Sequence, residues 1–194
     1  WLAARHGPTQ LAQNCSGKHA ALLALCKLKG WDLAGYLGED HPLLQLLRET
    51  VEELTGERIG GVSTDGCGTP VYLLSLPALA RGFAKLASAP EGTAEARVAA
   101  AMRAYPELVA GEGRDVTALM RSIPGAIAKD GFEGIQAVAL SDGTALAVKI
   151  ADGGDRARMP ITAALLATHV RVPQDLLSSP ALGGGKPVGR LAAL

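Results

Sequence analysis

Two cysteine-bearing strings hold the groups most capable of chemistry: Asn14-Cys15-Ser16-Gly17-Lys18-His19 and Ser63-Thr64-Asp65-Gly66-Cys67-Gly68-Thr69-Pro70. Each sets a thiol beside polar or ionisable groups where the backbone pattern breaks, and such a setting favours a thiolate over a packed core cysteine. Cys15 and Lys18 fall three apart at the start of an apolar segment, so they project to one side of a first helical turn. The positive end of that helix dipole favours a thiolate, which attacks electrophiles or binds a soft cation. Cys67 lies between two glycines, where the chain can turn sharply and expose the sulfur. Cys15, Lys18 and Cys67 together are the candidate ligands of a zinc ion, with a fourth tetrahedral position left for water or substrate. Lysine is an uncommon ligand because its amine must first lose a proton, so two buried cysteines beside a helix-capping loop is the competing interpretation.

Four further residues are candidates on chemical type. His19 can orient a ligand or carry a proton near neutrality, or simply cap the helix start. Asp65, two residues before Cys67, can accept a hydrogen bond from a ligand, anchor a substrate amine, or only shape its turn. Cys26 lies on the apolar face of the same helix as Cys15 and is expected in the core. Lys149 shares a strand face with Ala145, Ala147 and Ala151; it is either an inward ammonium with a lowered pKa or a gatekeeper on an edge strand. Gly183-Gly184-Gly185-Lys186 fails as a phosphate loop, because Pro187 stands where a hydroxyl residue is required. These residues contain no Ser-x-x-Lys, Gly-x-Ser-x-Gly or His-Glu-x-x-His string, so they do not assemble a complete nucleophile and base.

The elements that must position these groups follow from periodicity. Residues 1–14 lack a period and suit a connecting segment that something precedes. Residues 16–29 read as a helix capped by Asn14 or Ser16 and ended by Gly30. A second helix starts at His41-Pro42 and runs to Gly56, with a short strand over 58–62 leading into the Cys67 turn. Residues 71–89 read as a third helix with Pro77 as a kink, followed by helices over 95–105 and 115–122. The apolar runs 135–140 and 145–150 flank Ser141-Asp142-Gly143-Thr144 and predict an antiparallel hairpin. A last helix covers 159–170, and Gly183 to Pro187 forms a late turn.

Composition narrows the class of function. The 194 residues are 48% hydrophobic and 20% charged, which places the chain among folded proteins with one substantial core or two small lobes. Nineteen basic residues balance nineteen acidic ones, so no net field gathers nucleic acid or anionic lipid. No apolar stretch approaches the ~20 residues that span a bilayer. Three cysteines cannot complete a disulfide framework, and the expected compartment is the cytoplasm.

Several strings in order, Asn14-Cys15-Ser16-Gly17-Lys18-His19-Ala20, Asp40-His41-Pro42, Asp65-Gly66-Cys67-Gly68, Gly113-Arg114-Asp115-Val116-Thr117, Ala128-Lys129-Asp130-Gly131, Val148-Lys149-Ile150-Ala151-Asp152-Gly153 and Leu182-Gly183-Gly184-Gly185, resemble successive motifs of the Rhizobium etli-type L-asparaginases, the asparaginase II family. The resemblance implies an α+β fold similar to serine β-lactamases and glutaminases, with helices packed on an antiparallel sheet. It implies an amidohydrolase acting on L-asparagine by Ser-Lys chemistry, with Zn2+ bound by Cys15, Lys18 and Cys67. It implies that His19 and Asp65 line the substrate pocket and that Lys149 is the catalytic lysine. A homodimer is expected. The family's Ser-x-x-Lys nucleophile pair and the serine partnering Lys149 belong to an upstream segment that these residues do not contain. Residues 1–194 are therefore expected to be the C-terminal portion of a single catalytic domain. A glutaminase-like amidohydrolase and a non-catalytic metal-binding fragment are the alternatives.

Overall fold

The computed structural model describes residue 7 and residues 9–193. The chain divides into two units, one taking the sequence up to residue 53 and then 58–74, the other taking 54–57 and everything from 75 onward. The fold class is mixed α+β. The start of the segment read as a connector, residues 1–6 and 8, lies outside the described residues. Among the described residues no helix is long and apolar enough to cross a membrane.

The first unit is built from α1 (Ser16–Lys29), α2 (Pro42–Thr55), β1 (Gly61–Thr64) and β2 (Pro70–Leu73), with α2 running on into the second unit. Helix α1 is rich in Ala and Leu and has no β-branched residue, so its intrinsic helix propensity is high. It ends where Gly30 takes φ 69°, with the Gly30 amide donating to Lys27 O and the Trp31 amide to Cys26 O. Lys27 and Lys29 place positive charge against the dipole's negative end. Cys26 is fully buried, as its face required. Cys15 itself occupies the N-cap position, without a side-chain cap bond, in place of Asn14 or Ser16.

Pro42 opens α2, and His41 secures its start: Nδ1 accepts from the Leu43 amide at 3.1 Å while Nε2 contacts Asp32 O at 3.0 Å. The strands β1 and β2 pair antiparallel from Gly61↔Leu73 to Thr64↔Pro70. The observed first strand lies three residues later than the sequence period indicated. The span 71–89 is not one helix. β-Branched Val71 and aromatic Tyr72 join the hairpin, and Ser75 then caps α3 (Leu76–Ala87) by accepting from the Ala78 amide at 3.2 Å. Pro77 consequently sits in the first turn, where it costs no hydrogen bond, and makes no kink.

In the second unit α3 is followed by α4 (Ala94–Ala104), α5 (Pro106–Ala110), α6 (Asp115–Ser122), β3 (Ile127–Gly131), β4 (Ile135–Ala139), β5 (Ala145–Lys149), α7 (Arg158–Leu166), β6 (Ser178–Gly183) and β7 (Lys186–Ala192). Strands β3, β4 and β5 form an antiparallel meander. Its two faces are both covered. Ala128 and Val138 join Val116, Leu119, Met159 and Leu166 in one cluster, while their chain neighbours Ile127 and Ala139 pack with Ala87 and Ala99 in another. Alternation thus sends successive residues of one strand into two different cores, one built with α6 and α7 and the other with α3 and α4. On the α6 and α7 side of the sheet Arg158 is 2% exposed, bonded to Asp115 Oδ2 at 2.9 Å, Asp155 Oδ1 at 3.0 Å and the Gln136 Oε1 amide oxygen.

The predicted hairpin is present as β4 and β5, but β3 was not anticipated, and nor was α5. The late glycine turn proves to be the tip of a β6–β7 hairpin, with Gly184 and Gly185 both at positive φ, as a tight two-residue connection demands. An isolated two-stranded ribbon tolerates Pro180 and Pro187 because each strand has a free edge.

Candidate metal centre

The β1–β2 hairpin exists to carry its tip. The Asp65 amide donates to Thr69 O at 2.8 Å, the Gly68 amide to Asp65 O at 2.9 Å, and the Gly66 amide to Asp65 Oδ1 at 2.8 Å. Gly68 takes φ 87°, and a Cβ there would also press on Leu37 at 3.3 Å. These constraints hold Cys67 at the outer end of the turn. The first turn of α1 supplies the other half. Cys15 Sγ, Cys67 Sγ and an Asp65 carboxylate oxygen all lie within 4.8 Å of one another.

Lys18 Nζ reaches into the same group, donating to Thr69 Oγ1 at 2.8 Å and contacting Asp65 Oδ2 at 3.5 Å. Cys67 Sγ is 3.4 Å from Asp65 Oδ2 and 3.2 Å from Thr69 Oγ1. Lys18 and Asp65 remain 44% exposed, so their ion pair is screened by solvent and its role is placement rather than stability. His19 is half-buried, its Nδ1 2.5 Å from the Tyr36 hydroxyl with the two rings edge to face. Cys15, Lys18, Asp65 and Cys67 therefore converge, with His19 beside Lys18 on the same turn of α1.

The two thiols are electrostatically unequal. Hydrogen bonds from the Thr69 side chain and backbone hold the Cys67 thiol down to about 6, with His19 contributing in the same direction. Burial pushes the Cys15 thiol up, and its hydrogen bond with Cys67 adds to that. Burial alone would lower Lys18, but the hydrogen bond to Cys67 and the charges of Cys15, Cys67 and Asp65 outweigh it and raise the ammonium. Without a cation, then, the group is a Cys67 thiolate cradled by a charged lysine. A cation entering between the sulfurs would take over the role of the ammonium, release its proton and ionise Cys15.

The donor set suits a borderline-soft ion. Tetrahedral zinc with sulfur at about 2.3 Å places two sulfur ligands roughly 3.8 Å apart, so Cys15 and Cys67 Sγ, already within 4.8 Å, need to close by only about 1 Å. Two thiolates select against magnesium and calcium, which take oxygen donors. A cavity of about 390 Å³ elsewhere in the first unit, lined by Leu44, Arg48, Val62 and Tyr72, contains none of these residues. Chemistry, not size, marks the site.

Lys149 belongs to the second unit, at the end of edge strand β5. It is exposed rather than turned inward among small side chains, and its Nζ donates to Glu133 O at 2.5 Å and Ile150 O at 3.1 Å. Lys149 and the cysteine group thus belong to different units.

Thr69 and Tyr36 were missed by sequence reasoning. Thr69 carried a signal, since it sits two residues from Cys67 and so faces the same side of the turn; Tyr36 carried none, lying in a connection without a period.

Against known proteins, no curated protein matches the chain. A family model described as L-asparaginase II matches residues 1–193, nearly the whole length. With Cys15, Lys18, Asp65 and Cys67 gathered on one helix start and one hairpin tip, and the match running from end to end, the chain belongs to the L-asparaginase II family.

Proposed function

We propose that the chain carries the metal- and substrate-positioning part of an L-asparagine amidohydrolase, which converts L-asparagine and water to L-aspartate and ammonia. Family membership supports the reaction class, and the observation that carries the site is the convergence of Cys15 and Cys67 around the Lys18 amine. Zn2+ is the proposed ion, held by Cys15, Lys18 and Cys67. When bound, it would supply an open coordination position that anchors the polar end of the substrate rather than strong Lewis-acid activation, because two thiolates largely neutralise its charge.

The chain's residues have distinct tasks. The Asp65 carboxylate, which accepts from the Gly66 amide and faces solvent, is set to hold the substrate's α-ammonium. His19, fixed by Tyr36, lines the same side and orients the substrate. The nucleophile is a serine of a Ser-x-x-Lys pair supplied by a segment outside these residues. Its oxygen attacks the side-chain carboxamide carbon, the C–N bond breaks, and the leaving nitrogen takes a proton to depart as ammonia. Water then hydrolyses the acyl ester, returning the serine and releasing aspartate. Lys149 is the proposed catalytic lysine, exchanging its carbonyl acceptors for the hydroxyl of a second serine that it holds and deprotonates. The working assembly is a cytoplasmic homodimer; exposed Leu108, Phe132 and Val188 supply apolar surface for association.

Ammonia release tests this reading, measured on the polypeptide that joins this chain to a Ser-x-x-Lys segment. Hydrolysis of asparagine with a higher kcat/KM than glutamine, abolished by substituting that serine, is the expected result. Equal or better use of glutamine reassigns the substrate, since one methylene is worth only about 1–3 kcal/mol. Chelation should raise KM; a collapse of kcat at saturating asparagine would overturn the positioning role.

A further inference from the structure

The Thr69 hydroxyl lies between two of the proposed metal ligands, and Thr69 is the least exposed residue at the hairpin tip, at 4%. A hydroxyl has one proton to give and lone pairs to receive. Lys18 Nζ, a donor only when charged and still a donor through its N–H bonds when neutral, approaches Oγ1 at 2.8 Å, so Oγ1 must accept there. The remaining hydroxyl proton is then free to point at Cys67 Sγ, 3.2 Å away, the direction that a metal-bound sulfur requires. The chain of donors reads Lys18 N–H to Thr69 O–H to Cys67 sulfur. It involves both a residue of α1 and one of the hairpin turn, so it ties the two ligand-bearing elements together from beneath.

We infer that Thr69 is a positioning residue for the metal centre, fixing the Lys18 amine and the Cys67 thiolate by one relayed hydroxyl so that both present their lone pairs to a shared divalent cation. This rests on the metal reading proposed above and adds to it a residue that does not touch the ion. The backbone of Thr69 has a separate duty, since Thr69 O closes the turn by accepting from the Asp65 amide. A side-chain substitution leaves that bond in place. Valine matches the shape of threonine without the hydroxyl, and serine keeps the hydroxyl without the methyl group.

The test is zinc affinity by competition with a chromophoric chelator, together with the visible spectrum of the cobalt(II) form, on the full chain. Thr69→Val should weaken zinc binding by about 10- to 100-fold and shift the cobalt ligand-field bands, as loss of a group supporting metal ligands does. Thr69→Ser should bind within about threefold of the unsubstituted chain, because the relay is kept. Unaltered thermal unfolding of Thr69→Val separates this from misfolding. If that variant unfolds early, a cycle with Lys18→Met decides: the hydroxyl's contribution must shrink when its donor is gone. Unchanged zinc affinity and cobalt spectrum in Thr69→Val, or serine no better than valine, overturns the inference alone. An unsubstituted chain that binds no zinc overturns the metal reading with it.

Discussion

The cysteine group at the hairpin tip and the Arg158 cluster in the second unit are both knots of charge, yet they are built to opposite ends. Arg158 is 2% exposed and has a partner for each side of its guanidinium: Asp115, Asp155 and Gln136. Nε, Nη1 and Nη2 each donate to one of these partners, and the cluster joins α6, β4 and α7. At the hairpin tip two sulfurs crowd one carboxylate, the lysine and aspartate stay 44% exposed, and one thiol is held near 6 while its neighbour is raised. Charge that is satisfied and dry stabilises a fold; charge that is crowded and wet is waiting for a ligand.

That contrast breaks most visibly at Arg158. Replacing it with methionine strands Asp115 and Gln136, and chemical denaturation should show a loss of about 3 kcal/mol, near the low end for breaking a buried pair because Asp155 is solvated. Zinc content should not change. The converse substitution, Cys67→Ser, should lower zinc affinity by more than the roughly 100-fold that a supporting partner is worth, as read by competition titration. Its denaturation midpoint without metal should move little, since the tip is outside both hydrophobic cores. A variant of either kind that altered both properties would erase the division.

Smaller effects sharpen the same boundary. Gly30→Ala forces a Cβ onto φ 69° at the end of α1 and should cost about 1 kcal/mol, measured by thermal unfolding. Asp130 of the second unit contributes to the acid limb of stability. Burial would raise Asp130, but the Lys129 hydrogen bond and charge outweigh it and its carboxyl lies below the ordinary value. A lowered carboxyl stabilises the fold at pH above its unfolded value near 4, and that contribution fades as the pH falls through the lower folded value. Asp130→Asn should therefore lower the unfolding free energy in the neutral range, leave it little changed where the carboxyl is protonated, and so flatten its dependence on pH below about 4.

Legibility followed the same division. Helices α1 and α2 could be read because their apolar residues recur at helical spacing and glycine or proline marks their ends. The β4–β5 hairpin could be read because Asp142-Gly143 sits between two apolar runs. Strand β3 escaped because Lys129 and Asp130 interrupt its apolar pattern, and only pairing with β4 makes Ile127 and Ala128 strand residues. The span 71–89 was misjudged because Ser75 and Pro77 signal a helix start as well as a helix interior, and local pattern cannot say which. At the site, residue type identified Cys15, Lys18, Asp65 and Cys67, but the contribution of Thr69 is a matter of two distances that no spacing encodes.

The central claim is that two sulfurs and one amine share a single divalent ion. Zinc-edge X-ray absorption on the loaded chain addresses it directly. The account predicts one ion per chain with two sulfur neighbours at about 2.3 Å and the remaining neighbours nitrogen or oxygen at about 2.0–2.2 Å. A shell without sulfur, or with a single sulfur that survives in Cys67→Ser, would contradict it.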